Sequence, residues 1–334
     1  VPYELPVIGR PITSGVSGPS NPSPERRPNS MRRTATLDLD YPQGLDANRR
    51  VRARARDLLS SEGGDRVLAD DVLVASVAPD RSYLSIFSFP DRPALQEMVG
   101  PRGRNNSRRA MGELVPEEKA AGTPLFLLLD DLPAISLISG QIAIEWLPPE
   151  QRTSPVNGDY RAPVGICAGF QEGSNAIGAD GKNLLIHQVQ SVGSLIRADD
   201  PLAWHKLQDE SDQPAMRRAR RIDVWVDEVI HVDAFFQDSC TTPFHGRVAV
   251  HEYCVTATAD LQTGALLSVF ADPRILPFDS CPQAAGNVDR MIGIPMNEFR
   301  EAVLDRLPGT LGCTHLNDAL RALAEVPAMV AAIR

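Results

Sequence analysis

Near the end of the chain, Gly312-Cys313-Thr314-His315-Leu316 sets a thiol and an imidazole two residues apart. Leu316, Leu320 and Leu323 fall on one helical face, so the pattern predicts a helix starting near Thr314. Backbone N–H groups at such a start favour anions and draw a thiol toward thiolate. Cys313 is then either a nucleophile or substrate contact, or a small buried thiol that only packs, because adjacent positions at a helix start splay apart. His315 falls on the Ala319/Ala322 side, where it serves as a second acid–base group or as a donor to substrate.

A second imidazole, His251, lies on the strand pattern Val248–Ala259 and shares its face with Ala249, Tyr253, Val255 and Ala257. On an apolar face it needs a hydrogen-bond partner or must stay neutral. Tyr253, Asp223 or Asp233 could supply one, and Asp223 shares a strand face with Trp225 and Asp227. One reading makes His251 a general acid or base oriented by Asp223, with Tyr253 and His315 as donors and Trp225 and Phe170 as an apolar wall. The other makes it a satisfied core histidine.

Metal chemistry is the remaining option for these side chains. His231, His245, His251, Cys254, Cys281, Cys313 and His315 are potential ligands, but no Cys-x-x-Cys or His-x-x-x-His spacing groups them. Any metal site would draw on several strands. Neither a Walker pattern nor a Gly-x-Gly-x-x-Gly after a strand is present, and the Gly-x-Ser-x-Gly elbow is missing.

The elements that must position these groups read as two similar halves. Arg32–Tyr41 alternates with Ala35, Leu37, Leu39 and Tyr41 on one face, and Val51–Asp57 alternates beside it, its arginines read as a solvated face. A hairpin follows (Val72–Val77, Leu84–Phe89), then a helical stretch at Arg109–Leu114 and the apolar run Leu125–Leu129. From Arg220-Arg221 the plan recurs: Ile222–Asp227, His231–Asp238, a hairpin from Val250 to Phe270, then Arg300–Leu307 and Gly312–Leu320. The expected organisation is an extended N-terminal arm (1–30), a first α+β repeat (31–131), a lid-like insert (132–219) and a second repeat with the site (220–334). In the arm, Tyr3, Leu5, Val7 and Ile8 could dock on another surface such as a partner subunit. In the insert, Leu184–Ile196 with His187 reads as helical.

The 334 residues carry a net charge of −9, which argues against non-specific nucleic-acid binding, and the five scattered cysteines suit a reducing cytoplasm. The apolar run ending at Leu129 is too short to span a bilayer, and the Val1-Pro2-Tyr3-Glu4 start does not read as a signal peptide.

Ile222-Asp-Val-Trp225, Asp238, His251-Glu252, Pro277 with Cys281-Pro282, and Gly312-Cys-Thr-His-Leu316 together resemble the bacterial family called domain of unknown function 2889. Arg33, Asp38, Tyr41-Pro42 and Gly165-Ile-Cys167-Ala-Gly169 extend the resemblance toward residue 30. It implies no reaction. The expectation is therefore an α+β protein of two antiparallel β-meander-plus-helix units, cytoplasmic and homodimeric. Its expected activity is that of a lyase, hydratase or isomerase without cofactor, using acid–base chemistry on a small aromatic or phenolic catabolite. A non-catalytic binding or assembly protein and a metal-dependent enzyme using His and Cys or carboxylate ligands are the alternatives.

Overall fold

A computed structural model describes residues 13–20, 23–100, 106–148, 161–184, 188–208, 212–243 and 246–334. Tyr3, Leu5, Val7, Ile8, His187 and His245 lie outside them. The strands are β1 (Ser30–Asp40), β2 (Arg49–Ser61), β3 (Gly64–Val77), β4 (Tyr83–Phe89), β5 (Gln190–Ser191), β6 (Ala215–Val226), β7 (Ile230–Thr242), β8 (Gly246–Ala259) and β9 (Leu266–Ile275). They form one antiparallel sheet in the order β4-β3-β2-β1-β6-β7-β8, with β5 and β9 both pairing β8. The helices are α1 (Ser107–Leu114), α2 (Pro116–Ala121), α3 (Pro124–Ile138), α4 (Gln141–Trp146), α5 (Phe299–Arg306), α6 (Thr314–Arg321) and α7 (Val326–Ile333). The protein is thus α+β, and both halves contribute to a single sheet joined at the β1/β6 pair.

Alternation decides what each sheet face carries. On β1, Ala35, Leu37 and Leu39 enter the main core, while Thr34 and Thr36 turn to the opposite face. Three β2 arginines pair with nearby carboxylates, Arg50 and Arg52 with Asp40 and Arg54 with Asp70. Arg56 is instead buried, against the expected solvated face, and donates to the Leu202 carbonyl. Helices cover the core face: α3 lies on β1–β3, α6 on β7 and β8, and α7 on β1 and β6.

Ion pairs repeat across the central strands. Arg32 of β1 pairs with Asp223 of β6, and Arg217 of β6 pairs with Asp38 of β1. On the core face Arg33 holds Asp57 with two nitrogens, and Arg218 holds Asp238 in the same way. These contacts align Arg32-Arg33 with Arg217-Arg218, three residues before the Arg220-Arg221 that the sequence comparison picked out.

Between sheet and helices the charges join into one buried chain. It runs from Asp57 through Arg33, Glu325, Arg300 and Asp130 to Arg321 and Arg108, then through Asp318 and Arg218 to Asp238, with Asp131 and Arg220 beside Arg218. Six arginines thus meet six carboxylates, so the chain is neutral without help from solvent, as buried ions require.

This chain also explains a segment that the sequence obscured. The helical stretch Pro124–Trp146 spans 23 residues, and an 18-residue window within it has mean hydropathy 1.5. It is therefore long and apolar enough to cross a membrane, contrary to expectation. Most of it is buried inside the protein, where α3 forms the core helix under the sheet. Asp130 and Asp131 interrupt the apolar run in sequence, but Arg300, Arg321, Arg218 and Arg220 pair with them.

The opposite face is covered by residues 195–208. Trp204 packs with Ala203, Ala219 and Phe235, and His205 sits between Thr34 and Thr36 at 2.9 and 2.8 Å. The described part of the N-terminal arm lies on its own chain. Ser17 and Gly18 donate to the carbonyls of Pro273 and Arg274, and Arg26 pairs with Asp200 and Asp65. The expected boundaries shift as well: α3 runs through position 131, and β6 begins at Ala215 rather than Arg220. The expected helix at 184–196 is replaced, in its described part, by the short strand β5.

Candidate functional site

β7 delivers the first group. Val232, Ala234, Phe236 and Asp238 share one strand parity, so the apolar stripe ends in a carboxylate that is completely buried. Arg218 donates to both of its oxygens at 2.8 and 2.9 Å. Burial is the largest influence on Asp238 and raises its pKa, opposed by the charges of Arg218 and Arg220.

His251 of β8 sits directly opposite Asp238, and the next pair is Ser239 with Ala249, so Val250 is an extra residue. Such a bulge bends the strand and re-aims neighbouring side chains. His315 comes from the first turn of α6, whose Asp318 reaches Arg218. The two imidazoles stack with ring centroids 3.3 Å apart and planes 15° from parallel. Asp238 Oδ2 lies 3.6 Å from His315 Nε2 and 4.0 Å from His251 Nδ1. The Thr314 hydroxyl is 3.3 Å from His315 Nδ1, which orients that ring. Phe236 stands 6.3 Å from the His315 ring and carries Arg218 and Arg220 over its faces.

Tyr253, two residues along β8, is fully buried against the Cys313 thiol, and its hydroxyl has no hydrogen-bond partner of ordinary geometry among the described residues. Burial also pushes the Cys313 thiol up to about 11, outweighing the Tyr253 hydroxyl and the backbone N–H groups of Leu316 and His315. The helix start therefore does not make Cys313 a thiolate. Cys167 and Cys281 neighbour it, and both thiols are raised by burial too. Gly169 makes this closeness possible, since a Cβ there would stand 2.7 Å from Cys281 Sγ. The cavity beside Tyr253 and Phe236 is about 10 Å³, room for one water.

Of the side chains singled out from sequence, His251, His315, Tyr253 and Cys313 do come together. Asp223 does not join them. It turns to the other sheet face, where Arg32 and Arg221 hold it, and Asp238 occupies the place expected for it. Trp225 stacks on His231 at 5.0 Å beneath Arg27, on the face that Asp223 shares. Phe170 packs edge-on against Phe278 at 5.4 Å. Asp238 and Arg218 are the additions, and the acid that closes the Val232-Ala234-Phe236 stripe is the signal that could have found Asp238.

Among the described residues, Asp238, His251 and His315 are the one group of three His, Cys, Asp or Glu side chains whose ligand atoms all lie within 4.8 Å of one another. No curated protein and no solved structure matches the chain. The match to a family model is narrower than the resemblance, which reached back toward residue 30. It covers residues 216–329, a stretch that includes Arg218, Asp238, His251 and His315 and that matches the family described as protein of unknown function (DUF2889).

Proposed function

We propose that the protein is an enzyme of lyase, hydratase or isomerase type, performing acid–base chemistry on a small aromatic or phenolic compound at the Asp238–His251–His315 centre. One observation carries the reading: two stacked imidazoles meet a fully buried carboxylate, and the three groups come from separate elements, β7, β8 and α6. Proton transfer by placed groups of this kind contributes about 10²–10⁴-fold to rate. The site retains an approach from solvent, because the His251 and His315 side chains are 11% and 16% exposed while Asp238 is sealed below them.

The test is turnover of a panel of hydroxylated and methoxylated aromatic acids by the wild-type chain, His251→Asn and His315→Asn. Each variant is expected to lose at least about 100-fold in kcat/KM with its circular dichroism unchanged. Turnover that persists in both variants would remove the centre from the reaction.

We also infer that the two halves descend from one duplicated β-meander-plus-helix unit. The reciprocal pairs Arg32–Asp223 and Arg217–Asp38, and the matching pairs Arg33–Asp57 and Arg218–Asp238, support this origin.

A further inference from the structure

The distances from Asp238 to the two imidazoles are too long for direct hydrogen bonds, yet the ligand atoms converge within 4.8 Å. Asp238 Oδ2 stands 3.6 Å from one imidazole nitrogen and 4.0 Å from the other. A hydrogen bond would close to about 2.9 Å. A tetrahedral cation with bonds of about 2.0–2.1 Å instead holds its ligand atoms roughly 3.4 Å apart. Closing these spacings onto such an ion moves the nitrogens of His315 and His251 by roughly 0.2 and 0.6 Å toward Asp238 and turns the two stacked rings apart, so that both in-plane lone pairs face the ion.

We propose that Asp238 Oδ2, His251 Nδ1 and His315 Nε2 bind one first-row divalent transition-metal ion. Two imidazoles and one carboxylate suit zinc, iron, cobalt or manganese better than magnesium or calcium, which prefer all-oxygen sites. Three protein ligands leave a position for water or substrate, the pattern of a catalytic rather than a structural metal. Arg218 anchors the carboxylate through both oxygens, and Thr314 contacts the far nitrogen of His315, so two of the ligands have the outer-shell support that metal ligands usually show. The inference rests on the same centre as the proposed function and makes metal-held water its base.

Charge then sets the substrate class. The buried chain already balances six arginines with six carboxylates, and Asp238 is spent on Arg218. A dication here brings positive charge that no further acid offsets. The open position therefore selects an anion: hydroxide in the resting centre, and a carboxylate or phenolate group when substrate arrives.

The experiment is Co²⁺ titration of the chelator-stripped full chain, followed by visible d–d absorption and calorimetry. Wild type is expected to saturate at one ion per chain. His251→Gln and His315→Gln should bind more than about 100-fold more weakly, beyond the 10–100-fold that outer-shell changes cause. Both variants leave the Arg218–Asp238 pair intact, and circular dichroism checks their fold. No stoichiometric binding by wild type, or equal binding by the variants, overturns the metal assignment. Turnover by chelator-stripped protein that is still lost in His251→Asn overturns it as well, while leaving the acid–base centre standing.

Discussion

Asp238 faces His251 across β7 and β8 at the position where Asp57 faces Ala69 across β2 and β3, and in both places the register slips at the next residue. Each aspartate is held by two nitrogens of an arginine from the central strands. The same backbone device therefore carries an imidazole in one half and a methyl group in the other.

This comparison predicts that His251→Ala is tolerated by the fold. The variant copies what the first half already does, so its urea-derived stability should stay within about 1 kcal/mol of wild type while function is lost. Arg218→Met should behave oppositely. It leaves Asp238, Asp131 and Asp318 short of a buried partner, and breaking such a pair costs about 3–5 kcal/mol.

Asp223 separates stability from function in the other direction. Asp223→Asn removes the charge that holds Arg32 and Arg221, so urea denaturation should show a loss of about 3 kcal/mol. Because the residue lies on the far face of the sheet, kcat and KM of the surviving folded protein should not change. A fall in kcat at full folding would restore Asp223 as the partner of His251.

Acid should unfold the protein partly through His205. Burial and the nearby Arg56 and Arg54 lower its pKa to about 3. In the unfolded chain the ring takes a proton near pH 6.5, whereas the folded ring stays neutral until about pH 3. The unfolded state thus binds more protons in this window, and stability falls as pH drops through it, by about 1.4 kcal/mol per unit. His205→Leu should lower stability at neutral pH, because Thr34 and Thr36 lose a partner, yet flatten the acid slope by up to one proton. Urea midpoints across that pH range measure both effects.

Thiol chemistry should be silent in the native state. Cys167, Cys281 and Cys313 are buried with raised pKa values, and the exchange nucleophile is the thiolate. Iodoacetamide at pH 8 followed by mass spectrometry should label these three only after denaturation. Rapid native labelling of Cys313 would reinstate it as a reactive group.

The strands were legible because alternation along β1, β2, β6, β7 and β8 survives in the residue types. The pairing of His251 with His315 was legible too, since each sits on the inward side of its own element. α3 was harder to see: its helical face is hidden by apolar side chains all round, with Asp130 and Asp131 in the middle of the run. Asp223 misled because parity places it correctly on a face but does not say which face the helices cover. Asp238 needed the bulge at Val250 to be brought level with His251, and bulges leave little trace in residue types.

The seam between β1 and β6 has a consequence for how the chain comes to exist at all. Ser30 meets Trp225 and Asp40 meets Ala215, so the strand made first waits for a partner made much later. Until then its hydrogen-bonding edge stands open on the emerging nascent polypeptide, an invitation to the wrong neighbour. Sequence separations of this size slow the search for the native pairing. Neither half expressed alone should be a stable molecule, and production of the whole should depend on a chaperone that shields the early strands during translation.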